Sequence, residues 1–518
     1  MRIPACRNPV GQRFGAERLP RHPDTRAART GRSSFALPII VGHPLGATGA
    51  RSSGICSVTG VFPSNHPDPN PVPPLSVRPT VDRVGEQNAR RRPLKTVTGV
   101  SGGEDIYAAA VDPARSTLAS ALEVAKIAED NKFDALFAAD LLSFGKQGAI
   151  GAQEPLIYLA ALSAVTSHVG LIATVTTTFH HPYNLARLFG TLDHVSNGRA
   201  AWNAVTSSLG EENYSDLELP SPEERYARAT ESLEVVNSLF DSWQPGALTS
   251  DGAGGAKLDP DLVHPIDYRG RYFTVAGPLN IPPLPQRRPV QFQAGQSAGG
   301  IELGARFAEV VFTSLATLDD ALEYTARIRA RATELGRPGG LPLIFSSLHA
   351  TFGATEAEAA RLVRERDEAT DFDAGRHRLA DMLGGGVDLT DLPLDRPLPE
   401  SLLPELESVN RRRGRVEIFT RLARSGRTLR ELIVASKDTG HWAAAGTPEQ
   451  LADAIQERYD AGVLDVIGLS GLADPRTRDF VTNGLLPELR RRGIVGTDYI
   501  GGTFRDNLEL PPLPDRSA

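Results

Sequence analysis

Residues 290–300 read VQFQAGQSAGG. Four residues alternate as a strand does, a glycine-rich turn follows, and residues 301–307 (IELGARF) begin as an apolar helix. Such a turn aims unpaired backbone N–H groups and the positive end of a helix at one point, which is the physical basis of phosphate binding. Gly295, Gly299 and Gly300 let the backbone approach an anion closely, because no Cβ intervenes. The same layout also serves as a plain strand-to-helix turn, so the surrounding residues decide its reading.

Several polar residues stand where strands end. Asp140 closes FDALFAAD (133–140), and a carboxylate there either faces a site or caps the next helix. Thr174 opens TVTTT (174–178), whose hydroxyls suit a polar ring edge or a phosphate, although threonine is also simply a good strand former. Asn203 lies in RAAWNAV (199–205), and its amide is both donor and acceptor for the edge of a heterocycle. Arg225 and Tyr226 open a long helix, where a guanidinium and a phenol reach an anion or pair with Glu223 and Glu224. His180 and His181 lack the cysteine or spaced carboxylate partners of a metal site, so no metal is expected, and aromatic packing or substrate contact suits them better.

The sequence has no Walker loop and no His-Glu-x-x-His. Its two cysteines, Cys6 and Cys56, both precede residue 101, so disulfides, thiolate metal sites and cysteine nucleophiles are excluded beyond it. No side-chain group can be assigned a catalytic role. Demanding chemistry would therefore need a bound organic cofactor, and a phosphate cradle with polar strand ends suits one.

The elements that must position these residues begin after a contrasting segment. The 518-residue chain carries a net charge of −7, yet residues 1–100 hold 15 basic against 5 acidic residues. That net charge argues against nucleic acid as the main partner. Residues 1–104, rich in Arg and Pro, read as a disordered basic extension. No apolar run reaches the about 20 residues of a membrane span, and no secretory signal is evident, so a cytoplasmic protein is expected.

From 105 to 510 helix and strand alternate. Strands are expected at 133–139, 169–176, 199–205, 290–293, 309–313, 342–352 and 464–469, with helices between them. Gly446–Thr447–Pro448–Glu449–Gln450 carries the signature of a capped helix start. Near-continuous apolar strands alternating with helices imply a parallel sheet covered on both faces. About eight units suit a (β/α)8 barrel; a doubly wound open sheet accommodates the same alternation. Two stretches, 244–289 and 370–440, interrupt the pattern as candidate lids, and the Arg411–Arg412–Arg413 run in the second reads as a solvated face.

Taken together, FDALFAAD, residues 170–207, RYARATESLEVVNSLFDSW (225–243), YRGRYFTVAGPLN (268–280), residues 289–313 and GTPEQLADAI (446–455) resemble the flavin-dependent monooxygenases of the bacterial-luciferase superfamily, in the nitrilotriacetate monooxygenase component A branch. The resemblance runs from about residue 108 to 508 and implies a luciferase-like (β/α)8 TIM barrel with insertions. It implies FMN, bound as FMNH2, and a separate NAD(P)H-dependent flavin reductase to supply it. One oxygen atom from O2 would pass to a small organic substrate by way of a flavin hydroperoxide. Carried over by position, Asp140, Thr174 and Asn203 would line the isoalloxazine pocket, Tyr226 would hold the ribityl-phosphate tail, and Gln296 and Ser297 would bind the phosphate. The family often forms homo-oligomers. A deazaflavin-dependent hydride-transfer enzyme and a non-catalytic flavin-binding protein share the fold.

The sequence departs from the family at two places. Pro222 stands where the family has His three residues before its Arg-Tyr pair. No apolar first strand is evident, residues 35–51 being only a faint echo, which predicts a barrel with an open seam.

Overall fold

The computed structural model describes residues 91–513, apart from 101–109, 113, 115, 145–152, 215–217 and 338. Eight parallel strands form the centre: β1 (Lys95–Gly99), β2 (Ala135–Ala138), β3 (Gly170–Thr176), β4 (Ala200–Val205), β5 (Val290–Ala294), β6 (Val310–Thr313), β7 (Leu343–Phe352) and β8 (Val466–Gly468). Each pairs with the next, and β8 pairs back onto β1, so the sheet closes into a barrel and the open-sheet alternative falls. A further strand, Trp442–Gly446, pairs with the outer half of β7.

The helices that cover the barrel include α1 (Ala119–Asp130), α2 (Pro155–Ser163), α3 (Pro182–Val195), α4 (Pro222–Phe240), α5 (Ala298–Phe307), α6 (Leu318–Glu334) and α7 (Glu356–Glu368). The capped start at Thr447 is present: Thr447 and Gln450 form a reciprocal capping box at the helix Pro448–Asp460.

Strand β3 shows why the sequence folds this way. All seven residues of GLIATVT are buried. Ile172 joins the barrel interior, while Leu171, Ala173 and Val175 pack outward under the helices. Phe504 and Leu508, from the C-terminal segment, plug the end of the barrel where the strands begin. Gly170 is required there, since a Cβ would lie 2.4 Å from the Phe504 ring.

The expected open seam is absent. Strand β1 lies inside the stretch read as an extension and pairs with β8 and β2, Val97 aligning with Gly468 on one side and Ala135 on the other. It escapes recognition because two of its polar residues, Lys95 and Thr96, are buried against distant partners. Lys95 Nζ pairs with Glu509 at 2.9 Å, and the Thr96 N–H and hydroxyl both donate to Asp134. Val97 joins the interior cluster. The faint echo at 35–51 lies outside the described residues.

The two interruptions are built differently. Residues 244–289 include two small hairpins and pack beside α3 and α4, with the Trp243 indole donating to the Leu279 carbonyl at 2.8 Å. Residues 370–440 carry α8 (Phe372–Met382), α9 (Arg413–Arg424) and α10 (Leu429–Ser436) around an apolar core of their own, including Leu379, Phe419 and Leu432. Among the described residues no helix is long and apolar enough to cross a membrane.

Candidate functional site

The turn between β5 and α5 forms the floor of a cleft of about 340 Å³ at the C-terminal end of the barrel. Ser297 caps α5, its hydroxyl accepting from the Gly300 N–H. The Tyr226 hydroxyl stands 3.2 Å from that of Ser297. The first N–H groups of α5 have no partner within the helix, so the floor presents donors and positive potential.

The glycines make the turn possible more than they make room for a ligand. A Cβ on Gly299 would lie 2.5 Å from the Tyr226 ring, and one on Gly300 would lie 2.7 Å from the carbonyl carbon of Gly295. They let Tyr226 and the two arms of the turn close on one another. The Gln296 side chain is also engaged: its amide donates to the Ser314 carbonyl at 3.0 Å and accepts from the Ser314 N–H at 3.1 Å. It ties the turn to the end of β6, which leaves the backbone of Gln296 to face the cleft.

Three of the six expected cofactor residues, Tyr226, Gln296 and Ser297, thus share one cleft. Thr174 and Asn203 form a separate pair on adjacent strands, the Asn203 amide donating to the Thr174 hydroxyl at 3.1 Å. They point into the barrel, Asn203 two residues deeper than Val205, which lines the cleft. Asn203 is 3% exposed, and its Oδ1 is a buried acceptor without a hydrogen-bond partner. Such a group costs about 1–3 kcal/mol until a donor reaches it.

Asp140 stands apart at the end of β2. Burial, then the charge of Glu154, raises its carboxyl to about 6, against a weaker opposing hydrogen bond from the Leu141 N–H. Burial also lowers His180, against the pull of Glu154. His181 is a structural residue: it caps α3 by accepting from the Tyr183 N–H and packs edge-on against Phe273. No cluster of metal-ligating side chains occurs among the described residues.

The roof of the cleft is what local sequence does not announce. Arg412, Arg413 and Arg415 line the cleft, although the arginine run reads as a solvated face. Arg225 is buried and bonds the side chain and carbonyl of Asn410, both at 2.8 Å. Arg411 donates to the Ser208 carbonyl and pairs with Glu211. Arg413 pairs with Glu223 at the first turn of α4. Those partners are remote in sequence, so no local pattern marks them; the run of charge was the only available signal. Pro222, where the family has His, is the first residue of α4 and also lines the cleft. None of residues 244–289 lines it.

His441 lies behind the cleft-lining Ser314, with its ring nitrogens 3.3–3.4 Å from the Ser314 hydroxyl. Burial, then the charges of His349 and Arg415, hold it down to about 3, so it is neutral at physiological pH.

The family model described as luciferase-like monooxygenase matches residues 98–465. The chain is similar to N-acetyl-S-(2-succino)cysteine monooxygenase of Bacillus subtilis, 36% identical over 403 residues that span 76% of this chain and 90% of that protein. It is also similar to nitrilotriacetate monooxygenase component A of Aminobacter aminovorans, 36% identical over 436 residues, 80% of this chain and 95% of that one. The solved EDTA monooxygenase of Chelativorans sp. BNC1 superposes with a TM-score of 0.64 at 30% identity, covering 82% of this chain and all of that chain (100%).

Proposed function

The chain belongs to the luciferase-like monooxygenase family, and from that premise we propose that it is the oxygenase of a two-component system, using FMNH2 to place one oxygen atom of O2 into a small organic substrate. The observation that carries this reading is the cleft in which Tyr226, Ser297 and the start of α5 converge beneath arginines. It has the donors and the charge that a flavin's terminal phosphate needs.

The other residues fit the same group. The unpartnered Asn203 Oδ1 calls for a buried donor, which the ring N–H of an isoalloxazine supplies. In this reading Tyr226 and Ser297 hold the phosphate end, with the backbone N–H groups at 296–299, while Thr174 and Asn203 meet the polar edge of the ring. Asp140 borders the ring from the end of β2. FMNH2 held there would supply the chemistry that activates O2 for transfer of one oxygen atom. The protein binds and orients the flavin, keeps bulk water out and holds the substrate against the ring.

Reduced flavin comes from a separate NAD(P)H-dependent reductase. The relative named a "component A" supports that division of labour. The test combines the purified protein with a flavin reductase, NADH, FMN and isotopically labelled O2 over a panel of small organic acids, thioethers and heterocycles. Label in a product, dependent on this protein, is expected. Failure to bind FMNH2, together with no label in any product, would refute the reading.

A further inference from the structure

The arginines in and beside the cleft fall into two groups. Arg225, Arg411 and Arg413 are staples: each spends its guanidinium on carbonyls, on Asn410 or on a glutamate, fixing residues 407–415 to the rim of the barrel. Arg412 and Arg415 are held by none of these bonds. Neither makes an ion pair within 4.0 Å among the described residues. Arg415 approaches the Met382 sulfur, 4.0 Å from Nη1, and Arg412 feels only a longer-range attraction from Asp381. Both line the cleft. Gly414, between them, packs on the phosphate-type turn itself; a Cβ there would lie 3.3 Å from Gln296 Cβ and 3.4 Å from the Ser297 nitrogen.

Arg412 also adopts a left-handed backbone, φ 49°. A non-glycine residue is strained there and stays only where its surroundings enforce it. The staples on either side supply that enforcement, and their combined effect is to turn two like charges toward one cavity. Burial weakens both cations: Arg412 is lowered by it against the attraction of Asp381, and Arg415 is lowered to about 10, chiefly by burial and then by the charge of Arg412. Two half-buried guanidinium groups facing a donor-lined floor lack an anion.

We propose that Arg412 and Arg415 are the cationic half of the flavin phosphate site, so that the 370–440 insertion, and not the barrel alone, closes on the cofactor's dianion. This rests on the reading of the cleft as the FMN site. It follows that the protein discriminates FMN from riboflavin, which lacks the phosphate, through the insertion.

The experiment titrates FMN and riboflavin separately into the full chain by flavin fluorescence, for the wild type and for Arg412→Met/Arg415→Met. The wild type should bind FMN more tightly than riboflavin. The double variant should lose FMN affinity by about 10- to 100-fold, the scale of lost charge-assisted hydrogen bonds, while riboflavin affinity holds. A variant that keeps the wild-type preference for FMN overturns the inference and leaves the FMN reading intact. A wild type that binds neither flavin removes the FMN reading itself. If the double variant loses its far-ultraviolet circular dichroism, Arg412→Lys and Arg415→Lys carry the test. They keep the charge without the fork, so a selective FMN loss of about 3- to 10-fold is expected, and unchanged FMN affinity in both refutes the proposal.

Discussion

At the β4–β6 side of the barrel mouth, Arg225, Arg412, Arg413 and Arg415 crowd a cleft whose floor is a helix start. At the β1, β2, β7 and β8 side, a cavity of about 390 Å³ is walled by Val97, Phe137, Phe345 and Leu472, softened by Ser120, Ser347 and Ser470. Phe312 belongs to both walls. One barrel therefore offers an arginine-lined cleft, the proposed anion grip, and an apolar chamber a single ring apart. The proposed grip draws on backbone N–H groups and an inserted segment, whereas the chamber is built from the strands, the start of α1 and the loop after β8. Affinity for a charged cofactor and exclusion of water are thus separable properties of this mouth, and mutations should separate them.

The sharpest break is Gly300→Val. Its Cβ would meet the carbonyl carbon and oxygen of Gly295 at 2.7 and 2.8 Å, and backbone cannot swing aside as a flexible side chain would. We expect a stability loss of about 1–3 kcal/mol by urea unfolding and FMN binding weakened by about 100-fold or more, since the floor of the grip is displaced. FMN affinity within a few-fold of wild type would mean that the floor is not the anion site.

The converse change fills the chamber and spares the grip. Ser470 borders two apolar cavities and is exposed to them. Ser470→Trp should lower kcat/KM by about 10-fold or more, as expected when a substrate pocket loses its space, with FMN affinity unchanged. Equal losses in flavin binding and turnover would erase the distinction between the two ends.

A smaller effect is expected where the grip meets its staples. Arg225→Met removes the bonds to Asn410, so the segment bearing Arg412 and Arg415 should loosen. Trypsin should then cleave within 411–415 faster than in the wild type, and FMN binding should weaken by about 10-fold. Unchanged cleavage would show that Arg411 and Arg413 suffice to hold the segment.

These two ends also differ in how much of them is legible in the sequence. The strands could be read because both their faces are buried: FDALFAA and GLIATVT carry almost no solvent-facing residue, so composition alone marks them. The Gly-rich turn could be read because its glycines and the following helix are contiguous. Strand β1 could not, since in KTVTG the buried Lys95 and Thr96 are satisfied by Glu509 and Asp134, neither of which is a sequence neighbour. The arginine roof failed for a related reason. A run of charge carries no sign of which members will be neutralised, and here Glu211 and Glu223 lie 200 and 190 residues away from Arg411 and Arg413. The glycines suggest room for an anion, while their closest constraints are Tyr226, Gln293 and one another.

The gentlest probe concerns Asp140, at the edge of the chamber beside Ala139. Burial, reinforced by Glu154, raises its carboxyl from 3.8 to about 6. The folded protein therefore binds the proton more tightly than the unfolded chain does. Below 3.8 both states are protonated and Asp140 contributes no slope. Between there and about 6 the unfolded chain has released the proton while the fold retains it, so stability falls as pH rises through this window and levels off above it. Asp140→Asn should flatten that part of the stability profile and stabilise the protein modestly at neutral pH. If Asp140 borders the flavin, the wild-type dissociation constant for FMN should also bend near pH 6, and the bend should vanish in Asp140→Asn while the preference for FMN over riboflavin survives. A bend that persists in the variant would assign the titration to another group, and a lost preference would tie Asp140 to the grip at the opposite end of the mouth.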